Sequence, residues 1–128
     1  MTEKQYIKRY FHVSQEIDSI MIKLLSWKRQ ERLLDEADPH GEELTQIREY
    51  MRQSVERLEK RAAELIKAEE CVMSMISALE TPQERQVLTY RYIDGMRWED
   101  IADRMYYAED TLYNWHKRAL DHLKFPVN

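Results

Sequence analysis

The chain has 128 residues, 43% hydrophobic and 34% charged, with only two glycines and three prolines, a balance that points to an all-helical soluble protein of one domain or two small ones. A formal charge of −4 argues against solo, tight binding to nucleic acid, because few phosphates could be neutralised. The single cysteine, Cys71, excludes an intrachain disulfide and fits a reducing cytoplasm; it lies in a dense apolar helix and reads as packing.

No run of about 18 apolar residues exists to cross a bilayer, and the start MTEKQYIKRY lacks the apolar core of a secretory signal. A cytoplasmic location without membrane contact is therefore expected. From Tyr6 the apolar residues fall at 6, 10, 13, 17, 20, 24 and 27, in steps of four and three. Tyr10, Ile17 and Leu24 take one heptad seam position, and Tyr6, Val13, Ile20, Trp27 and Leu34 the other, which predicts one helix over about 3–35. Asp35 to Gly41 is a loop by composition: Pro39 disfavours helix at Asp38, and Gly41 frees the backbone.

Residues 42–80 repeat the device. Leu44, Met51, Leu58, Leu65, Val72 and Leu79 recur every seven residues, with Val55, Ala62 and Ile76 beside them and Arg48 and Glu69 as polar interruptions. A short loop makes the two helices antiparallel neighbours, Tyr6 near Leu79 and Leu34 near Leu44. Charge agrees, since residues 3–34 carry a net +3 and residues 42–80 a net −3. Phe11, Met21, Ile22, Leu25, Leu33, Ile47, Ile66, Met73 and Met75 lie off the seams and call for further cover. Either the C-terminal module or a second copy in a four-helix bundle would supply it, and a homodimer through the long helices is expected.

The last third divides from the rest at residue 80, giving a hairpin domain over 1–80 and a module over 81–128. Thr81 as N-cap, Pro82 at the first helical position and Glu84 as the closing acid read as a capping box. Asp94-Gly95 ends that helix. A second helix is expected over Trp98–Met105, and a third from Glu109 to about Lys124 with Leu112, Trp115, Ala119, Leu120 and Leu123 inward. Two short helices joined by a few residues form the helix-turn-helix pattern.

PQERQVLTYRYIDGMRWEDIADRM resembles the fourth conserved region of sigma-70-type sigma factors, and DTLYNWHKRALDHL resembles its recognition helix. The likeness covers about 43 residues, over ERQVL, RYIDG, EDIA and KRAL. The layout, a long helical part before such a module, is similar to small phage and prophage late-gene regulators of the ArpU/RinA kind. The resemblance implies a transcriptional regulator that binds duplex DNA and touches RNA polymerase. It implies groove-facing roles for positions 109, 110, 113, 114 and 118.

The chemistry of those positions is consistent with it. Asn114 can pair with adenine, Asp110 can accept from cytosine, and Lys117 and Arg118 can hold phosphate, with Tyr113 beside them and Arg97 and Arg104 as further phosphate contacts. There are departures: Glu109 and Tyr113 replace arginines, Ala108 replaces a serine cap, and Tyr106 replaces a turn glycine. The alternative for all these residues is a solvated helix face.

Other functions find less support. Tyr90, Tyr92, Trp98, Tyr106, Tyr107, Tyr113 and Trp115 could stack on bases of a single strand, but spacing turns Tyr92, Trp98 and Trp115 inward. His12, His40, His116 and His122 show no metal-ligand spacing, and no phosphate loop or nucleophile motif is present, so neither a metal, a cofactor nor catalysis is expected. Two rival functions stand: a DNA-packaging protein like a small terminase, whose usual order of parts is the reverse, and a protein-only adaptor of RNA polymerase.

Overall fold

The structure, a computed structural model, describes residues 1–127. It is all-α, with no strand among the described residues. The helices are α1 (Glu3–Arg9), α2 (Val13–Ala37), α3 (Thr45–Ser77), α4 (Pro82–Leu88), α5 (Trp98–Met105) and α6 (Glu109–His122); a π-helical turn, Thr89–Ile93, continues α4. None of these helices is long and apolar enough to cross a membrane. Packing divides the chain into two compact units, one of Glu16–Ile66 and one of residues 1–15 together with the chain from Lys67 onward. The contact boundary thus falls within the long helices rather than at residue 80.

In the unit of Glu16–Ile66, α2 and α3 run antiparallel. Arg61 pairs with Glu16 at 3.4 Å, Trp27 meets Tyr50 edge-on at 6.3 Å, and Arg48 reaches Asp35 at 2.6 Å. Leu24, Met51, Ala62 and Leu65 are buried along the seam. Arg48, a polar interruption of the heptads, serves the loop end: it also donates to the carbonyls of Asp38 and Leu34. The flanks are left bare, for Ile22, Leu25, Leu33, Ile47 and Tyr50 are each more than half exposed.

The loop has a cause that composition does not reveal. Asp38 is buried, and its carboxylate accepts from the amides of Glu42, Glu43 and Leu44 at 3.3, 3.2 and 3.0 Å. Those are donors of the bend that precedes α3, and backbone amides drawn out of water need partners. Hence α3 begins at Thr45 rather than Glu42, and α2 runs on to Ala37. Gly41 supplies the left-handed φ of 67° that lets the chain fold back over the carboxylate.

In the other unit the expected single helix over 3–35 proves to be two. Thr2 and Gln5 form a capping box that starts α1. The helix then breaks at Tyr10 to His12, where His12 adopts a φ of 64°. The break aims Phe11 at Tyr92, ring centroids 5.7 Å apart, and buries Ile7 and Val13 completely. Tertiary packing has overridden a local pattern that favoured continuity. Beyond the break, Ser14 donates to Glu69 at 2.5 Å, which accounts for the second polar interruption of the heptads.

This unit holds one core of Ile7, Val72, Met75, Ile76, Leu79, Leu88, Tyr92, Ala119, Leu120 and Leu123, with Tyr6, Phe11 and Cys71 packed against it. A second core joins Val87, Ile101, Ala102 and Leu112. Glu84 does not close a capping box, and Thr81 makes no side-chain cap bond. Glu84 is instead buried under α6, with its two oxygens 3.0 and 3.1 Å from His122 Nδ1. A partner distant in sequence outcompeted the local one.

The Asp38 carboxyl is held below its usual range by the Leu44 amide first, then by those of Glu43 and Glu42 and the Arg48 charge, against desolvation. A depressed folded pKa gives stability that is complete above the unfolded value near ~3.9 and is lost as pH falls through the folded one. Asp38→Ala should therefore lower the melting temperature at pH 7, and the gap to the unsubstituted chain should narrow as pH drops below about 4. Thermal melts by circular dichroism at both pH values test this; an unchanged gap would contradict it.

Candidate nucleic-acid interface

The turn between α5 and α6 is built from residues the sequence marked as departures. Tyr106 caps α5 in the left-handed region, φ 58° and ψ 37°, where a side chain costs about 1–2 kcal/mol and glycine does not. Its ring is 93% exposed, so no packing offsets the cost. Ala108 then stands at the N-cap of α6 with the extended backbone of a cap, φ −66° and ψ 151°, but has no side chain to accept an amide. Glu109 and Asp110 in the first turn answer the helix dipole instead.

The register of α6 follows from its buried row. Leu112 and Ala119 have no exposed surface, and Leu120 and Leu123 are buried below them. Trp115, half-buried, packs against the second core. With that row inward, Glu109, Asp110, Tyr113, Asn114, Lys117 and Arg118 are exposed. The structure thus brings together on α6 the five residues expected there: 110, 113, 114, 117 and 118.

Their immediate surroundings differ. The Asn114 side chain is exposed to solvent. The Arg118 guanidinium lies over the Trp115 ring, 5.4 Å from the centroid. Tyr113 packs edge-on to Trp98 at 5.1 Å and braces α6 against α5. Of the two arginines outside α6, Arg104 rests over Tyr90 at 5.2 Å. Arg97 is tied to Asp100 at 3.1 Å and Glu99 at 3.4 Å, and the Asp100 hydrogen bond raises its pKa further. A phosphate at Arg97 would have to displace two carboxylates. Of the other candidate stacking rings, Tyr92 is buried, Trp98 is half-buried and Tyr107 is partly exposed.

The histidines disperse. His12 lies at the break after α1, His40 in the loop, His116 against Tyr92 and His122 against Glu84. No three metal-binding side chains come together among the described residues. The groups that periodicity missed are Lys8, Phe11, Arg91 and His116, which converge from four parts of the chain; the off-seam Phe11 was their one sequence signal.

The fold and this surface define an all-helical protein that carries a bihelical turn unit whose last helix has one polar, exposed face. The chain belongs to the family described as Protein of unknown function (DUF1492), whose pattern it matches over residues 46–124. No curated protein and no solved structure matches it.

Two substitutions in the turn should raise stability. Tyr106→Gly relieves the left-handed strain at the cost of unfolded-state entropy, for a net gain of about 0.5–1 kcal/mol. Ala108→Ser restores a cap and should add about 1 kcal/mol. Urea denaturation measures both; a loss of stability in either variant would show that the turn is not the strained, uncapped joint described.

Proposed function

We propose that the chain is a DNA-binding transcriptional regulator of the phage or prophage type, with α6 lying against promoter DNA and RNA polymerase as a second contact. The reading is of a non-enzymatic, cytoplasmic protein without a cofactor. One observation carries it: a buried row of Leu112, Ala119, Leu120 and Leu123 fixes α6 so that Asp110, Tyr113, Asn114, Lys117 and Arg118 are exposed together. The resemblance of these helices to sigma region four supports the same reading.

A protein-only adaptor of RNA polymerase is the second reading, and a specific observation favours it. Residues 81–128 carry seven basic and eight acidic side chains, and Arg97 is already neutralised by its neighbours. The nonspecific phosphate attraction is small, so duplex affinity would depend on avidity or on a partner. A small-terminase-like packaging protein gains no comparable support from the geometry.

The DNA reading separates by residue. Asn114→Ala should cost about 1–3 kcal/mol on the specific site only and relax the preference at one base pair. Arg118→Ala should weaken all sequences alike and reduce the slope of log affinity against log salt by about one. Both side chains are exposed, so helicity should stay at the wild-type level. Fluorescence anisotropy with duplex DNA at several salt concentrations reads both effects. A wild-type chain that binds no duplex at low salt, alone or with polymerase, leaves the adaptor.

The same proposal includes a homodimer. Ile22, Leu25, Leu33, Ile47 and Tyr50 leave an apolar surface on the Glu16–Ile66 unit that a second copy would cover. Sedimentation equilibrium at tens of micromolar, roughly where weak interfaces are populated, should give twice the chain mass, and Leu25→Glu should return it to monomer. A monomeric wild-type chain would remove the dimer without touching the DNA reading.

A further inference from the structure

Lys8, Phe11, Arg91, Tyr92, Trp98 and His116 line an open cavity of about 340 Å³. Its wall draws on the end of α1, the break that follows it, the π-helical turn, the first residue of α5 and the middle of α6. The lining is two cations and four rings, with no carboxylate. Acidic residues outnumber Lys and Arg in the chain 24 to 20, yet neither Lys8 nor Arg91 has an ion-pair partner among the described residues.

The cavity is already ordered. The Arg91 guanidinium is held between Phe11 and Trp98, 4.6 and 4.8 Å from the ring centroids, and its Nη1 donates to the Met96 carbonyl at 2.9 Å. Tyr92 and His116 share a hydrogen bond of 2.9 Å between Oη and Nε2, and their rings stack at 5.8 Å. Trp98 meets the imidazole edge-on at 4.7 Å. Burial, then the Lys8 and Arg91 charges, push the His116 pKa down to about 4, so the imidazole is neutral at pH 7. Positive charge without a counter-ion, beside fixed rings, favours a ligand that carries both a negative charge and a flat face.

We propose that this cavity binds a small anion borne on a planar ring, an aromatic carboxylate or a nucleoside monophosphate. The acid group meets Lys8 and the open edge of Arg91, and the ring lies against Trp98 and His116. The volume is at the lower end of small-molecule pockets, about 300–1,000 Å³, so an aromatic carboxylate fits within it while the ribose of a nucleotide would lie at the open mouth. Because Arg91 is fixed beforehand, binding costs little ordering entropy at that group. The site is independent of the DNA reading, since none of its lining residues is among those assigned to the groove.

The test follows the Trp98 indole N–H and the His116 ring by NMR on the full chain, with benzoate, adenosine monophosphate, adenosine and inorganic phosphate as probes. The expected result is a saturable shift of both signals with benzoate or the monophosphate, each needing no more than about 1 mM for half-saturation. Benzoate would place the ligand among aromatic acids, and the monophosphate among nucleotides. The bound anion should also raise the His116 midpoint above about 4, because a negative neighbour favours the charged imidazole. Lys8→Glu, at an exposed position, should keep wild-type helicity and weaken binding roughly tenfold or more. The proposal is overturned if neither anion binds, if adenosine or phosphate alone binds as well, or if Lys8→Glu leaves the affinity unchanged.

Discussion

The buried row of α6 is the constraint on which the rest of its unit depends. Leu112 enters the core shared with Val87, Ile101 and Ala102, while Ala119, Leu120 and Leu123 enter the core shared with α3, α4 and α1. One helix therefore belongs to two cores and cannot rotate to suit either alone. Ala119, with no exposed surface, lets its backbone come close to its neighbours, and a larger residue there would overpack the contact. The exposed face of α6 is rigid because the opposite face is fully committed.

Buried carboxylates are handled differently in the two units. Asp38 is neutralised largely by backbone amides, with Arg48 at a long 3.7 Å, and the result is a loop closed by a single side chain. Glu84 is 3% exposed and meets the side chain of His122, which ties the first turn of α4 to the end of α6. Each replaces a partner that water would otherwise supply, and removing either partner leaves a polar group without compensation. Surface pairs such as Arg52 with Glu49 and Glu56 add little by comparison.

Much of this was legible in the residues. The bounds of α5 and the start of α6 followed from apolar spacing and turn chemistry, and the buried row of α6 from its 3.6-residue period. The substitutions at Tyr106 and Ala108 told in advance where the backbone would be strained and where a cap would be missing. Other features were not legible, for a common reason. The break at Tyr10 to His12 leaves the apolar spacing intact, so periodicity reads straight through it. Glu84 had a sound local partner in Thr81 and found a better one 38 residues away. The loop carboxylate of Asp38 reaches forward by four to six residues, beyond any standard cap pattern. The cavity of Lys8, Arg91 and His116 depends wholly on that unannounced break, because Phe11 reaches Arg91 only through it.

The π-helical turn at Thr89–Ile93 carries a consequence for how this part of the chain can vary. Its amide bonds reach back five residues, as from Asp94 to the Thr89 carbonyl at 2.9 Å, so it holds one residue more than an α-helical turn would. That surplus residue sets the phase of everything after it. Its removal would let α4 continue as ordinary helix and turn each following side chain by about 100°. Tyr92 would leave its core and Arg91 its place between Phe11 and Trp98. A change of chain length within these five positions therefore costs the register of both cores at once. A substitution in the turn leaves that phase intact, whereas an inserted or deleted residue shifts it.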